Sequence, residues 1–264
     1  MKYSVVIPMY NSEKTIERTI HSVENQTRYD LIDEIVVVND GSTDESIDII
    51  KKMMLSNSKL KLLDKSNGGA ASARNLGIKN AKNRFIALLD ADDIWTSKKI
   101  EVQNKILENN LFIKALGSNR INESINIGRS VIKDACVYKI TPMRYCIKNW
   151  PCTPSLIFDK NVFEDNSYFP EDMTHAEEGF FFLTLAYKSG LYYMGDALVE
   201  CGDGKRAFGA SGLSGNIEKM HLGVIEMIKR AGRAGYIKKF FVPFLIAYEN
   251  IKYQRRKIII KKDK

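Results

Sequence analysis

The first 95 residues alternate short apolar runs with segments of helical periodicity, and this order restricts the possible fold more than any other feature. Four runs rich in Val, Ile and Leu are predicted strands, at residues 3–7, 34–38, 60–63 and 85–89. Between the first two, Ile16, Ile20 and Val23 recur at helical spacing. The second run lacks polar alternation, which is typical of a parallel strand covered on both faces. The alternation predicts an α/β domain with a mostly parallel central sheet flanked by helices.

The remainder of the chain is less regular. Helices are predicted at residues 98–109 and 178–188, with short β-like runs at residues 191–194 and 197–200. From residue 216 onward the sequence is helical and becomes basic. A length of 264 residues with 44% hydrophobic residues suits one compact domain with an appendage. We therefore expect a single α/β domain followed by a C-terminal helical basic extension.

The net charge of +8 is concentrated at the C-terminal end. Residues 227–264 contain 12 Lys or Arg residues against Glu249 and Asp263, so this segment carries +10 and the remainder about −2. Phe240 and Phe244 stand beside these cations, a pattern typical of a helix that lies on an anionic membrane. The alternative is a helix packed on the domain with a solvated basic end. Nucleic acid is the less favoured anionic partner.

The N-terminal apolar run ends at Pro8 and is too short for the core of a signal peptide. No window reaches the roughly 18 apolar residues that a membrane span needs. Four cysteines show no close-set pair of the zinc or redox type: Cys136, Cys146, Cys152 and Cys201. We therefore expect a cytoplasmic protein with reduced cysteines, which its tail could hold at the inner face of the cell membrane.

Polar segments follow three of the predicted strands at the points where these strands end. They are Pro-Met-Tyr-Asn at residues 8–11, Asn-Asp-Gly-Ser-Thr-Asp at residues 39–44 and Asp-Ala-Asp-Asp at residues 90–93. Ligands of doubly wound sheets bind beyond the carboxyl ends of the strands, which meet at one edge. The order of strands alone therefore predicts a ligand site built from these three segments.

The acids of residues 90–93 give the sharpest chemical indication. Carboxylates two positions apart, just past a buried strand, can converge on one hard cation such as Mg²⁺ or Mn²⁺. A cation held there would also bind phosphate oxygens and neutralise a departing diphosphate. The alternative is an acidic turn or a cap of the next helix. Their place after an apolar strand favours the metal site.

Two further segments could approach a nucleotide. Asp40 could accept hydrogen bonds from a base or a ribose, while residues 42–45 have the spacing of a capping box for the next helix. Residues 67–75 enter a helix through two glycines but lack the GxGxxG dinucleotide pattern. Their small side chains leave room for a nucleotide near Arg74, which could otherwise be a surface charge.

Taken in order, these motifs resemble those of the family 2 glycosyltransferases, which have the GT-A fold. The resemblance is dense over residues 3–95 and weaker afterwards; Asn39 stands where the family commonly has Asp. It implies an inverting hexosyltransferase that takes a sugar from a nucleoside-diphosphate sugar, usually a UDP-sugar, with Mn²⁺ or Mg²⁺ as cofactor. It also implies roles for six residues: Pro8, Tyr10 and Asp40 at the base and ribose with Arg74 close by, Asp90 at the ribose or donor sugar, and Asp92 on the metal.

Residues 175–183 resemble the Glu-Asp motif that heads a helix in this family, where the second acid is the catalytic base. The second acid here is Glu178, a longer side chain, so both Glu177 and Glu178 are candidates for catalysis. Acids at a helix start can instead serve only to stabilise the helix dipole. A glycine-rich segment that carries Lys205 and Arg206 could close as a lid over the diphosphate or be a plain loop.

On this interpretation the chain has three parts. Residues 1–95 bind the nucleotide sugar, residues 96–215 form the acceptor-binding and catalytic half of the same domain, and residues 216–264 are the helical basic tail. The expected acceptor is a hydroxyl of a glycan or a lipid-linked sugar in surface polysaccharide or lipopolysaccharide synthesis.

Two other functions stay open. A sugar-nucleotide pyrophosphorylase shares this kind of fold, but it would need a glycine-rich, Arg-containing first loop, and residues 8–11 contain no glycine. A membrane-binding or nucleic-acid-binding protein with a vestigial site is the second alternative. The acids at Asp90, Asp92 and Glu178 count against it.

Overall fold

A computed structural model of the chain describes residues 1–123, 130–132, 136–166, 168–202 and 215–262. The strands are β1 (Tyr3–Met9), β2 (Ile32–Asp40), β3 (Leu60–Lys65), β4 (Phe85–Leu88), β5 (Ile94–Trp95), β6 (Ala115–Arg120), β7 (Val137–Ile140), β8 (Ile157–Asp159) and β9 (Leu191–Glu200). The helices are α1 (Ile16–Glu24), α2 (Ser46–Met54), α3 (Gly69–Asn80), α4 (Lys99–Asn109), α5 (Pro142–Ile147), α6 (Glu177–Lys188), α7 (Ile217–Arg233) and α8 (Val242–Lys262).

The strands form one sheet in the order β3-β2-β1-β4-β8-β6-β9-β5, and β7 pairs with β9 outside this path. Strands β3, β2, β1 and β4 are parallel, and Val6 lies opposite both Val36 and Leu88. Strand β8 runs antiparallel to β4 and β6, whereas β6 and β9 are parallel. The parallel half brings the carboxyl ends of β1, β2 and β4 to one edge, as the strand order predicted.

Helices cover both faces of the sheet, which explains why β2 is apolar without alternation. Val6 belongs to a buried cluster with residues of α3, α6 and α7. Val5 and Ile7 belong to the opposite cluster, with residues of α1, α2 and α4. Because successive side chains of a strand point to opposite faces, each face needs its own apolar set. The predicted α/β class, with helices on both faces, is confirmed.

The small-residue face of α3 allows this helix to lie close to the sheet. A Cβ atom on Gly77 would lie 2.5 Å from Val6 Cγ1 and 3.0 Å from Val38 Cγ2. A side chain at this position would therefore push α3 away from β1 and β2. Close packing places the N-terminus of α3 at the edge where these strands end.

The capping-box prediction for residues 42–45 is wrong. Helix α2 begins at Ser46, and its N-cap Glu45 makes no side-chain capping bond. Ser42 and Asp44 instead accept hydrogen bonds from the backbone after β1. The Ser42 side chain thus binds a neighbouring loop, and Asp44 binds both that loop and the Ser46 N–H at the start of α2.

The C-terminal extension is helical, as predicted, and consists of α7 and α8. Helix α7 contacts α6 as well as α8, and α8 also contacts α5. A Cβ atom on Gly232 of α7 would lie 2.5 Å from Val242 Cγ2 of α8. Of the helices in the described ranges, none combines the length and apolar character required to cross a bilayer.

Candidate active site

A cavity of about 1010 Å³ lies beyond the carboxyl ends of β1, β2 and β4. Its size is at the upper end of ordinary small-molecule sites and suits a nucleotide sugar. Eight of the site residues predicted from sequence line it: Pro8, Tyr10, Asp40, Arg74, Asp90, Asp92, Glu177 and Glu178. The other two, Lys205 and Arg206, lie outside the described residues, so the lid stays a prediction.

The loop after β1 is bonded to the loop after β2. Asn11 donates its backbone N–H to Ser42 Oγ at 3.0 Å, and its own side-chain oxygen accepts from the Thr43 N–H at 2.8 Å. Glu13 donates its N–H to Asp44 Oδ2 at 3.0 Å. These contacts fix the wall of the cavity next to Pro8 and leave Tyr10 52% exposed. An exposed aromatic ring on a rigid wall is suited to stacking against a base.

Asp40 fixes the turn that begins α3. Its Oδ1 accepts hydrogen bonds from Lys65 Nζ at 2.6 Å and from the Gly68 N–H at 2.9 Å. Its Oδ2 accepts from the N–H of Gly69 at 2.7 Å, at a backbone φ of +86° that favours glycine. Asp40 therefore lines the cavity and also positions the helix N-terminus there. Its contact with a ribose or base stays a prediction.

Arg74 joins three segments of the site. Its Nη2 donates to Asp90 Oδ1 at 2.7 Å and its Nη1 to Glu177 Oε1 at 3.3 Å. The guanidinium lies 5.3 Å from the centroid of the Phe169 ring. Burial opposes the charge of Arg74, but the two carboxylates outweigh it and raise its pKa above the ordinary value. The side chain is thus a permanent buried cation that holds Asp90 and Glu177 in place.

The two acids at the start of α6 lie in different surroundings. Glu177 is buried and accepts the hydrogen bond from Arg74, whereas Glu178 is half-buried and faces open space. Burial, with the neighbouring charge of Glu177 added, raises the pKa of Glu178 to about 8. A carboxyl group with a pKa near the working pH is suited to proton transfer. Glu177 is thus held by Arg74, whereas Glu178 lines the cavity with a raised pKa; which of the two is the catalytic base stays a prediction.

The acidic segment after β4 contains one structural acid. Asp93 is buried and accepts a hydrogen bond from the Gly202 N–H at 2.8 Å. Burial, together with the charges of Asp90 and Asp92, raises the pKa of Asp93 to about 8. Thr19 Oγ1 donates to the carbonyl oxygens of residues 91 and 93, both at 3.0 Å. These bonds hold the segment so that Asp90 and Asp92 line the cavity.

Asp90 and Asp92 fit a metal ion that takes only some of its ligands from the protein and the others from water and the bound ligand. Across the described ranges, no three His, Cys, Asp or Glu side chains converge into a complete cage. Asp90 and Asp92 offer hard carboxylate oxygens on the cavity wall, and Asp92 is exposed there. Mg²⁺ and Mn²⁺ commonly take one or two carboxylates and complete their shell with waters and phosphate oxygens. Such an ion would need the diphosphate of the ligand to complete its site.

A second cavity of about 810 Å³ adjoins the first. The two cavities share Asp90, Thr153, Glu178 and Met220 in their walls. The second cavity extends from there toward residues 145–154 and helix α8. Sequence reasoning did not find it, since residues 145–154 match no motif used above. Glu178 therefore faces two compartments.

The sequence comparisons agree with this geometry. Residues 4–142 match the model of a family described as Glycosyl transferase family 2. An uncharacterized glycosyltransferase of Rickettsia conorii is 32% identical over 247 residues, which cover 93% of this chain and 39% of the relative. WfgD of Escherichia coli, a UDP-Glc:α-D-GlcNAc-diphosphoundecaprenol β-1,3-glucosyltransferase, is 38% identical over 137 residues, 51% of this chain and 53% of that protein. The chain thus spans about two fifths to one half of the length of these curated relatives.

TarS of Staphylococcus aureus, a poly(ribitol-phosphate) β-N-acetylglucosaminyltransferase, is 30% identical over 191 residues, which cover 69% of this chain and 32% of TarS. The crystal structure of TarS residues 1–349 in complex with UDP-GlcNAc superposes with a TM-score of 0.68 at 24% identity, covering 94% of this chain and 71% of that one. This likeness confirms the GT-A fold.

Proposed function

Since the chain belongs to glycosyl transferase family 2, we propose that it transfers a hexosyl group from a UDP-sugar to a hydroxyl of a glycan or lipid-linked acceptor, with inversion. One observation carries the proposal: Glu178 lines both cavities. A base between a donor compartment and an acceptor compartment is the arrangement that a single displacement requires. The sugar to be transferred would lie where the two cavities meet.

The first cavity is proposed as the donor site. Its wall carries Tyr10 for the base, the α3 N-terminus that Asp40 fixes, and Arg74. The remaining N–H groups in the first turn of α3 favour phosphate, whereas Arg74 is already paired with Asp90 and Glu177 and positions those two acids. WfgD is named for UDP-Glc, and TarS has been crystallised with UDP-GlcNAc. These names support a UDP-sugar as the donor of this chain.

The reaction follows from the position of Glu178. Its carboxylate accepts the proton of the acceptor hydroxyl as the oxygen attacks the anomeric carbon from the face opposite the diphosphate. The bond between the anomeric carbon and the phosphate oxygen breaks, and its electron pair leaves with UDP. One displacement inverts the anomeric configuration and needs one base. Through its ion pairs with Asp90 and Glu177, Arg74 holds the end of β4 and the start of α6 in place beside the donor.

A divalent cation is part of the proposal. Asp92, with Asp90 beside it, would hold Mg²⁺ or Mn²⁺ against the diphosphate. The bound ion would neutralise the negative charge that develops on the departing UDP. The support is the hard oxygen donor set on the cavity wall.

Release of UDP from a panel of UDP-hexoses tests this function. With Mn²⁺ and a glycan or lipid-diphosphate acceptor, one UDP-sugar should give UDP and a product whose new linkage has the opposite anomeric configuration, measured by NMR. The matched control omits the acceptor and should show only slow hydrolysis. Synthesis of UDP-sugar from UTP and sugar 1-phosphate, without transfer, would establish a pyrophosphorylase instead.

The C-terminal extension is proposed to dock on an anionic membrane, which would bring the enzyme to lipid-linked acceptors of surface polysaccharide or lipopolysaccharide synthesis. Phe240 and Phe244 are 71% and 60% exposed, and their ring centroids are 5.3 Å apart. Lys238 and Lys239 directly precede them. Aromatic rings beside cations suit the interface of a bilayer with anionic headgroups. WfgD, which is named for a diphosphoundecaprenol acceptor, supports a membrane-bound substrate.

A further inference from the structure

The second cavity carries a specific arrangement of charge, and we propose that it recognises a phosphate group of the acceptor. This inference rests on the proposed transferase function and names the substrate class of its acceptor site. The acceptor would be a phosphate-bearing sugar or polyol, with its reactive hydroxyl at Glu178 and its phosphate against Lys148 and Arg255. Both cations line the cavity.

The charges of this cavity are distributed unequally along it. Its inner end, shared with the donor cavity, carries the acids Asp90 and Glu178, and the acids Asp93 and Glu123 line the cavity as well. Five cations line the remainder: Arg120, Lys148, Lys252, Arg255 and Arg256. A ligand with a hydroxyl at one end and an anion at the other would complement both ends.

Carboxylates of the chain compensate only part of this positive charge. Arg120 pairs with Glu123 at 2.9 Å. Lys252 and Arg256 share one buried carboxylate, Glu249, at 3.0 and 2.8 Å. Within the described ranges, Lys148 and Arg255 form no ion pair with a carboxylate. The cavity wall therefore has a surplus of positive charge, which an anionic group of the ligand would neutralise.

Two segments far apart in sequence are held together at this wall. Lys148 Nζ lies 3.8 Å from the ring centroid of Trp150, which stacks on Tyr193 with 5.9 Å between centroids. From α8, Lys252 Nζ donates to the carbonyl oxygen of Ile147 at 3.2 Å. This bond holds α8 against the segment that carries Lys148. Arg255 lies about one helical turn after Lys252 on α8. The two cations are thus parts of one built wall, although 107 positions separate them.

Phosphate suits this wall better than a neutral glycan. An Arg guanidinium binds phosphate oxygens through two parallel N–H donors, and a Lys ammonium adds a point charge. A neutral glycan would leave the surplus cations without a counter-charge. A sugar diphosphate on a lipid and a polyol phosphate chain present the same chemistry, so the inference covers both sources.

Acceptor kinetics with matched ligands test the inference. The acceptors are a sugar linked through diphosphate to a short phenylalkyl chain, the same sugar as a phosphate-free phenylalkyl glycoside, and a ribitol phosphate oligomer. The diphosphate or the ribitol phosphate acceptor should have a KM on the order of tenfold below that of the glycoside at low salt. This difference should shrink as ionic strength rises. Which of the two is used distinguishes a lipid headgroup from a polyol phosphate.

Variants locate the effect at the cavity wall. Lys148→Gln and Arg255→Gln should each raise the KM for the phosphate-bearing acceptor about threefold, and together about tenfold, which removes its advantage over the glycoside, while the KM for the UDP-sugar stays the same. Lys257→Gln is the matched control, because Lys257 is on the same helix but does not line the cavity. The phosphate-free glycoside should respond to none of the three changes.

Two outcomes separate this inference from the proposed function. If UDP-sugars are turned over but the glycoside is used as well as both phosphate-bearing acceptors, the phosphate site is refuted and the transferase stands. If no UDP is released with any acceptor or with water, the proposed function fails first. An equal rise in the KM for the phosphate-bearing acceptor in Lys257→Gln would also overturn the assignment of Lys148 and Arg255.

Discussion

Arg74 Nη1 lies 3.3 Å from Glu177 Oε1, across 103 positions of sequence, and this contact separates the roles of two adjacent acids. The same guanidinium donates to Asp90 at 2.7 Å. Glu177 is thereby bound inside the protein, whereas Glu178 faces both cavities. One buried cation thus fixes both the end of β4 and the start of α6, the helix that carries the proposed base.

Replacing Arg74 should therefore destabilise the protein as well as impair the enzyme. Arg74→Ala leaves the buried carboxylate of Glu177 without its partner, and loss of one member of a buried ion pair costs about 3–5 kcal/mol. Denaturant unfolding would measure the loss. Arg28→Ala is the matched control, because Arg28 and its partner Asp30 are 44% and 61% exposed and their pair should contribute much less. A similar loss for both variants would contradict the role given to Arg74.

Much of the first cavity, the proposed donor site, could be predicted from the sequence. The carboxyl ends of parallel strands meet at one edge, so the residues after β1, β2 and β4 had to come together once the alternation was recognised. Tyr10, Asp40 and Asp90 follow from that rule alone. The small residues around Arg74 indicated a nucleotide near it, and the family resemblance added Glu178, which lies far from Arg74 along the chain.

The features that the sequence did not predict depend on tertiary contacts, which local sequence patterns do not indicate. Asp40 follows a strand, but its bonds to the Gly68 and Gly69 N–H groups depend on how α3 meets the sheet. The second cavity is assembled from Lys148 in a segment without periodicity and Arg255 near the end of the chain. Residues 42–45 matched a capping box, yet the Ser42 and Asp44 side chains accept hydrogen bonds from the loop after β1. In each case a tertiary partner decided the role.

Asp92→Ala should abolish transfer and leave the fold intact. Asp92 is exposed on the wall of the donor cavity, so little packing is lost, while the proposed metal loses its carboxylate. Calorimetry of UDP-sugar binding should show affinity that depends on Mn²⁺ in the wild type and not in the variant. Thermal unfolding without metal should be the same for both. Metal-independent binding in the wild type, with activity retained by Asp92→Ala, would sink this prediction.

Membrane docking of the C-terminal extension can be tested separately from the proposed acceptor cavity. Phe240→Ser with Phe244→Ser removes the two exposed rings, neither of which lines the second cavity. Sedimentation with vesicles should show wild-type binding that requires anionic lipid and weakens with salt, and the double variant should bind less. Turnover of a short water-soluble acceptor should be unchanged. Equal sedimentation of wild type and variant would exclude this docking mode.

Substitution of the two acids should distinguish base from positioning residue. Glu178→Gln keeps the size of the side chain but removes the proton acceptor, a change that typically costs about 10²–10⁴-fold in rate. The affinity for the UDP-sugar should barely change. Glu177→Gln should cost less, because its effect is only on position. If Glu177→Gln is inactive and Glu178→Gln turns over normally, the roles are reversed.

The pH dependence of the reaction should report the surroundings of Glu178. Burial and the charge of Glu177 raise its pKa to about 8, so the group is mostly protonated at pH 7 and its deprotonated fraction grows with pH. The rate should therefore rise about tenfold per pH unit up to about pH 7 and level off above pH 8.

The free energy of unfolding should fall as pH rises, whereas the rate of the reaction should increase. An unfolded Glu titrates near 4.5, so the folded state binds more protons between pH 4.5 and 8, and the free energy of unfolding should fall as pH rises through that window. Glu178→Gln cannot titrate at this position, so it should make this slope shallower and leave the part that comes from Asp93, whose pKa is also raised to about 8. The measurements are kcat/KM from pH 5.5 to 9 and denaturant unfolding of both proteins over the same range. A rate that is already flat at pH 6, or a stability profile that the substitution leaves unchanged, would show that Glu178 ionises at an ordinary pKa.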